Sequence, residues 1–177
     1  MSKIKRFNIE NRCHFVTTKT FDNAKIFNKE KNVQLFLKVL YEVKEKLNFL
    51  LIGFVIMPDH LHLMIVPETR NSISDVMRHI KGRFARLYNQ SIWRINSADY
   101  ETNKIFYRAG NSSPPKRKVW QNSFYDHVIR NRKEFLEKLN YIYNNPVKAK
   151  IVAKPEDYKF SSISEIYEVD LERYFGG

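Results

Sequence analysis

The sequence has very little cysteine and no long apolar run. Its one cysteine among 177 residues, Cys13, excludes an internal disulfide and a zinc site built from several cysteines, so we expect a reducing compartment. No apolar stretch approaches the ~20 residues that cross a bilayer, and the charged N-terminus lacks the apolar core of a signal peptide. These absences favour a cytoplasmic protein with no membrane partner, and the length suits a single domain over 1–177.

Acidic residues are also scarce relative to basic ones. Lys and Arg total 31 against 19 Asp and Glu, which gives a net charge of +12 and an isoelectric point near 9.7. Such an excess suits a polyanionic partner, and it favours nucleic acid over a membrane surface. A merely soluble basic protein remains the alternative until the motifs are considered.

Short runs of β-branched, aromatic and apolar residues predict the strands of one sheet. These runs cover 12–18, 50–57, 60–66 and part of 119–129. The second run ends at Pro58 and the third begins after Asp59, so this short gap makes the two strands antiparallel neighbours.

Apolar residues at three- and four-residue spacing predict three helices between the strands. They cover about 32–47, 72–89 and 132–144, the last capped by Asn131 and ended by Pro146. The class is therefore α+β, with helices packed on one face of the sheet, a core over about 12–150 and a peripheral C-terminal tail over 151–177.

His60 and His62 form a His-x-His pair on the predicted third strand. Successive strand side chains point to opposite faces, so the two imidazoles share one face and suit two ligands of one metal ion. The alternative is a pair of half-exposed histidines on an amphipathic strand. Because Met64, Ile65 and Val66 make both faces apolar, paired histidines do not suit an ordinary core, and we expect them to line a cleft.

The last predicted helix carries two tyrosines, which helical phase separates. Tyr143 falls on the apolar stripe, whereas Tyr141 shares a polar face with Lys138 and Asn145. A metal or base that activates the Tyr141 hydroxyl makes it a nucleophile; otherwise it is an ordinary exposed tyrosine. Asn145 offers an amide oxygen as a further metal ligand, although its alignment is approximate because it precedes Pro146.

Basic residues cluster on the second helix and after the polar loop, beside aromatic residues. The candidates for DNA contact are Arg78, Lys81, Arg83, Arg86, Lys116, Arg117, Lys118 and Trp120. Cationic groups meet phosphates, while unpaired bases stack on exposed rings, so this combination favours single strands. For Trp120 the alternative is burial in the core.

Several segments together resemble the single-tyrosine transposases of the HUH class, in particular the REP-associated tyrosine transposases. The resemblance covers 15–162 and is carried, in order, by 53–63 (GFVIMPDHLHL), 81–84 (KGRF), 119–126 (VWQNSFYD), 141–149 (YIYNNPVKA) and 158–162 (YKFSS). The sequence departs from the family at Asp59, where asparagine is commoner, and at Lys150, where many members have glycine.

The resemblance implies a ferredoxin-like antiparallel sheet with Tyr141 as the nucleophile. It also implies that His60 and His62 bind a divalent metal, Mg²⁺ or Mn²⁺ rather than the zinc that two imidazoles alone suggest, with Asn145 as the third ligand. The reaction implied is cleavage and rejoining of single-stranded or hairpin DNA through a 5′-phosphotyrosine. The insertion over 96–118 is expected to alter substrate choice.

Two other hypotheses remain open at this point. A domesticated, noncatalytic DNA-binding protein keeps the fold without the chemistry, although His60, His62 and Tyr141 argue against it. A related HUH nickase usually carries further domains that this length cannot hold. The oligomeric state is expected to be a monomer or a homodimer, with the monomer favoured.

Overall fold

The structure, a computed structural model, describes residues 12–97 and 117–175, in which four strands form one antiparallel sheet. The strands are β1 (His14–Lys19), β2 (Leu50–Ile56), β3 (His60–Val66) and β4 (Tyr125–Val128), and their order in the sheet is β2-β3-β1-β4. The helices are α1 (Glu30–Leu47), α2 (Ile73–Ser97), α3 (Arg132–Lys148) and α4 (Leu171–Phe175). The predicted α+β class with an antiparallel sheet is confirmed.

Helices cover both faces of the sheet, so the predicted packing on one face is wrong. Leu61 and Leu63 of β3 share a buried cluster with α1 and α2, whereas Met64 and Val66 pack with Phe135 of α3 on the other face. The physical reason lies in β2 and β3, whose side chains are apolar on both faces of the sheet apart from His60 and His62. A strand without a polar face needs an apolar cover on each side.

A close approach to β2 fixes α3 on its face of the sheet. The strand has a register irregularity between Leu51 and Gly53, and a Cβ atom built on Gly53 would lie 2.8 Å from Cδ1 of Leu139. Glycine is therefore the residue that lets the helix pack this near the strand. Within the described ranges, no helix is long and apolar enough to span a membrane.

The helix α3 continues through Pro146 to Lys148, so the prediction that Pro146 ends it is wrong. Proline lacks the N–H that would donate to the Ile142 carbonyl, so the helix loses one hydrogen bond in its last turn and still continues for two more residues. The backbone N–H of Ala149 still donates to the carbonyl of Asn145 at 3.0 Å. Asn145 therefore stays in helical phase with Tyr141. The predicted cap is present, because the Asn131 side chain accepts from the backbone N–H of Glu134.

The segment predicted as a peripheral tail instead covers the outer edge of β2. Its backbone pairs with the strand, with Ile56 N–H donating to the Phe160 carbonyl and Ser162 N–H to the Phe54 carbonyl, both at 2.9 Å. The Tyr158 ring is buried and its hydroxyl donates to the Ile56 carbonyl at 2.7 Å. Pairing satisfies an edge that would otherwise expose backbone groups, so the core extends at least to Ser162.

Trp120 lies in the apolar core, which contradicts its prediction as a DNA contact. Only 7% of the residue is exposed, and its ring lies 5.4–6.2 Å from the rings of Phe27, Phe36 and Phe84. Its indole N–H donates to the Lys81 carbonyl at 3.0 Å. A buried indole with a partner for its N–H is a core residue. The predicted strand around it reduces to β4 and one bridge between Thr20 and Trp120.

Trp120→Ala will therefore destabilise the protein without removing a direct contact to DNA. We expect the free energy of unfolding, measured by urea denaturation, to fall by about 3–5 kcal/mol because a large buried ring is lost. Phe21→Ala, at a ring that is 45% exposed, is the control and will cost less than about 1 kcal/mol. Normal stability with lost DNA affinity in Trp120→Ala would contradict this assignment.

Candidate active site

Side chains from two central strands, the edge strand β4 and the helix α3 meet in one open cleft. The cleft has a volume of about 460 Å³ and is lined by Phe15, Thr17, Lys19, His60, His62, Tyr125, Lys138 and Tyr141. It lies on the α3 face of the sheet, because His60 and His62 alternate with the buried Leu61 of the opposite face. The structure thus brings the predicted histidine pair and the predicted tyrosine together.

The two imidazoles are each held by a hydrogen bond at Nδ1, and their ring centroids lie 5.0 Å apart. The Asp59 carboxylate accepts from Nδ1 of His60 at 2.6 Å. Nδ1 of His62 lies 2.8 Å from the hydroxyl oxygen of Thr17. A partner at Nδ1 fixes the tautomer and the ring orientation, and it leaves Nε2 as the nitrogen available to a metal.

Asn145 completes this group from the last turn of α3. The residue is 8% exposed, and its amide nitrogen lies 3.1 Å from Nε2 of His62. In this arrangement the amide donates to the Nε2 lone pair, which places the imidazole proton on Nδ1 toward Thr17. The same amide carries an oxygen donor for a cation once it turns.

The environment of His62 keeps its ring neutral. Burial lowers the pKa of His62 to about 3, and the charges of His60 and Lys19 act in the same direction. A neutral imidazole has the free lone pair that a metal ligand needs. Within the described residues, no cluster of three His, Cys, Asp or Glu side chains is arranged to hold a metal. The metal donors that this cleft offers are two imidazoles and one amide.

The lowered pKa of His62 also predicts a dependence of stability on pH. An unfolded chain binds a proton at this ring near pH 6.5, whereas the folded protein binds it only near pH 3, so stability falls as pH drops through this window. We expect urea denaturation to show a smaller loss between pH 7 and pH 4 for His62→Gln than for the unsubstituted protein. Parallel curves for the two proteins would contradict the lowered pKa.

Tyr141 stands over the histidines from α3. Its ring centroid lies 5.2 Å from that of His62 and 5.8 Å from that of Phe15, with edge-on geometry in both cases. The residue is 37% exposed and lines the open cleft. Tyr143, two residues on, packs against the buried cluster beneath α3, as helical phase predicts.

The predicted arginines do not lie at this cleft. Arg78, Arg83 and Arg86 belong to α2, on the opposite face of the sheet, where they line a separate groove of about 580 Å³ beside α1. Arg83 donates to the Glu42 carboxylate through Nε at 2.7 Å, and Arg78 donates to that of Asp75 at 2.7 Å. Helical periodicity located a basic face but not the side of the sheet on which it packs.

The other predicted basic residues have separate environments. The Lys81 amine donates to the carbonyls of Gln121 and Ser123 and so anchors the loop before β4. The Lys118 amine lies 4.6 Å from the ring centroid of Phe21. Arg117 lines a basic cavity of about 490 Å³ with Lys25, Lys29 and Lys31. Lys116 lies outside the described residues.

Sequence reasoning missed the groups that surround the histidines and the tyrosine. Thr17 touches His62 only because β1 pairs with β3, a register that sequence patterns do not reveal. Lys148 lies with its amine 4.9 Å from the Tyr141 ring centroid. Helical phase did place Lys138 on the polar face of Tyr141, three residues before it, but did not assign it to the cleft.

Comparisons with known proteins identify the family of this chain. A family model described as "Transposase IS200 like" matches residues 9–145. A Haemophilus influenzae protein whose name assigns it provisionally to the REP-associated tyrosine transposases is 27% identical over 176 residues, covering 96% of this chain and 93% of that protein. The REP-associated tyrosine transposase of Escherichia coli K12 is 25% identical over 163 residues, covering 92% of this chain and 82% of that protein.

A solved structure shows the same fold. It is that of a REP-associated tyrosine transposase bound to a REP hairpin, and the TM-score is 0.64 at 24% sequence identity. The likeness covers 96% of this chain and 90% of the other. The ferredoxin-like HUH fold predicted from the sequence is therefore confirmed.

Proposed function

The chain belongs to the IS200-like transposase family, and we propose that it cleaves and rejoins single-stranded DNA through a covalent link to Tyr141. The observation that carries this proposal is the position of Tyr141, whose partly exposed ring stands 5.2 Å from that of His62 in an open cleft. A hydroxyl presented beside two imidazoles that can hold a metal ion is suited to nucleophilic attack on a phosphodiester.

The proposed reaction exchanges one phosphate ester for another. The Tyr141 oxygen attacks the phosphorus and loses its proton to water, a P–O bond forms, and the bond to the 3′-oxygen breaks. The 3′-oxygen takes up a proton and leaves as a free hydroxyl, while the phosphate stays on Tyr141 as a 5′-phosphotyrosine. Attack by a 3′-hydroxyl then reverses these steps and rejoins strands, so no nucleotide cofactor is consumed.

We propose that His60, His62 and Asn145 hold a Mg²⁺ or Mn²⁺ ion. The support is the donor set, in which both Nδ1 atoms have partners and the Asn145 amide already contacts Nε2 of His62. When bound, such an ion stabilises negative charge on the nonbridging phosphate oxygens. Asp59 and Thr17 hold the two rings in orientation.

The proposed substrate is a hairpin with a flanking single strand. The protein in the related solved structure is bound to a REP hairpin, and the strong positive charge of this chain suits the same class of ligand. We propose that Arg78, Arg83 and Arg86 contact DNA phosphates on the α2 face while a single strand enters the cleft on the other face. We favour a monomer.

The test is to trap the covalent link. Purified protein is incubated with hairpin-bearing single-stranded DNA in Mn²⁺ or Mg²⁺ and is resolved on a denaturing gel. The label is on the fragment 3′ of the cleavage site, because that fragment keeps the 5′-phosphate that joins Tyr141. A labelled adduct whose modified peptide contains Tyr141 is the expected result, and it will be absent with EDTA or with fully paired DNA. Tight hairpin binding without any adduct would contradict cleavage and favour the noncatalytic DNA-binding hypothesis.

A further inference from the structure

Tyr125 presents the most exposed aromatic ring of the cleft. The residue is 56% exposed and lies on β4, opposite Thr17 of β1, which in turn lies opposite His62 of β3. The three side chains therefore form one row across the α3 face of the sheet. In the part of the chain that the structure describes, β4 is the edge strand, so the cleft opens beside this ring.

We propose that Tyr125 is a stacking platform for an unpaired nucleobase next to the cleaved phosphate, flanked by Lys19 and Lys138 as phosphate contacts. The inference rests on the proposed function, since it assigns a subsite for the same DNA strand. The ligand is a single-stranded DNA segment, and no particular base sequence is required.

The packing of the Tyr125 ring fits this role. Phe15 meets it with a centroid distance of 6.4 Å and an interplanar angle of 71°, so an edge-to-face contact restrains the ring while more than half of the residue remains exposed. Every base has a π-face, so stacking on such a ring tolerates any sequence. A tyrosine ring loses little conformational freedom on binding because it has few rotatable bonds.

The position of the Tyr125 ring relative to the histidines matches a DNA strand that runs across the β-sheet. Neighbouring strands lie about 4.8 Å apart, so Tyr125 is about 10 Å from the His62 position across β1. A phosphate placed below Tyr141 thus has its adjoining nucleotide, or the next one, over Tyr125. The cleft is continuous between these residues.

The two lysines supply positive charge on either side of this path. Lys19 lies opposite His60 in the sheet register, and the Lys138 amine lies 5.0 Å from the Phe15 ring centroid. Among the described residues, neither amine lies within ion-pair distance of a carboxylate. Unneutralised amines beside an exposed ring combine the two elements of single-strand binding, which are charge and stacking.

The experiment places the fluorescent base 2-aminopurine at successive positions of the single strand that flanks a hairpin. All proteins carry Tyr141→Phe so that binding is measured without cleavage. We expect quenching on binding at one or two positions, lost in Tyr125→Ala together with about a tenfold loss of affinity, and retained in Tyr125→Phe. Leu136→Ala, at an exposed apolar residue of α3 outside the cleft, is the matched control and will keep both signals.

The outcomes separate this inference from the proposed function. Quenching and affinity that survive in Tyr125→Ala would overturn the stacking site, while adduct formation by the protein with Tyr141 intact would still support cleavage. Position-specific quenching that depends on an aromatic ring at 125 would support the stacking site even if no adduct forms at Tyr141. Loss of quenching in Tyr125→Phe as well as Tyr125→Ala would also overturn it, because stacking needs only the ring.

Discussion

Tyr141→Phe will form no covalent adduct with hairpin-bearing single-stranded DNA, and its cleavage rate will fall by about three orders of magnitude or more. The substitution removes only the hydroxyl, so the ring keeps its edge-on contacts with His62 and Phe15. The oxygen that attacks the phosphorus is gone, so the covalent link cannot form. Denaturing gels and single-turnover cleavage measure the two effects, and a binding assay will show unchanged hairpin affinity.

Tyr143→Phe is the matched control, since it makes the same change two residues along the same helix. Tyr143 packs against the buried cluster under α3 and does not line the cleft. We expect it to retain adduct formation. An adduct that persists in Tyr141→Phe and disappears in Tyr143→Phe would exchange the roles of the two tyrosines and show that helical phase misled the assignment.

His62→Ala will weaken binding of Mn²⁺ and cleavage together, by about a hundredfold or more. The ring that it removes is buried, neutral and fixed at Nδ1 by Thr17, so a ready-made ligand is lost. Electron paramagnetic resonance of Mn²⁺ with the DNA-bound protein measures the metal affinity independently of activity. Thr17→Val keeps the ligand but loses its orientation, and we expect a smaller loss, about tenfold in metal affinity.

His14→Ala provides the matched histidine control. His14 lies on the opposite face of the sheet, where it bonds to Asp126, and it does not line the cleft. It will bind Mn²⁺ like the unsubstituted protein. Metal affinity that is unchanged in His62→Ala, or that falls equally in His14→Ala, would contradict the proposed ligand set.

The parts of the site that depend on local periodicity were predictable from the sequence. Alternation along β3 placed His60 and His62 on one face, and the helical repeat separated Tyr141 from Tyr143. Both patterns act within a single element, so they need no knowledge of the tertiary structure. The order of the family motifs predicted the fold and the transposase family.

The parts that depend on packing between elements were not predictable in this way. Trp120 belongs to the core because Phe27, Phe36 and Phe84 surround it, and these residues come from distant segments. The apolar runs of β2 and β3 did predict burial, but not that the third long helix would cross to the other face. The arginines of α2 consequently fell on the side away from the cleft.

The continuation of α3 through Pro146 has a mechanical consequence. Tyr141 and Asn145 are one helical turn apart on a single unbroken helix, whose apolar side is clamped to β2 by Leu139 and Ile142. A rotation or slide of this helix moves the nucleophile and the amide as one rigid piece relative to the imidazoles of β3. The positions of Tyr141 and Asn145 relative to His60 and His62 therefore change together, because one unbroken helix carries both residues.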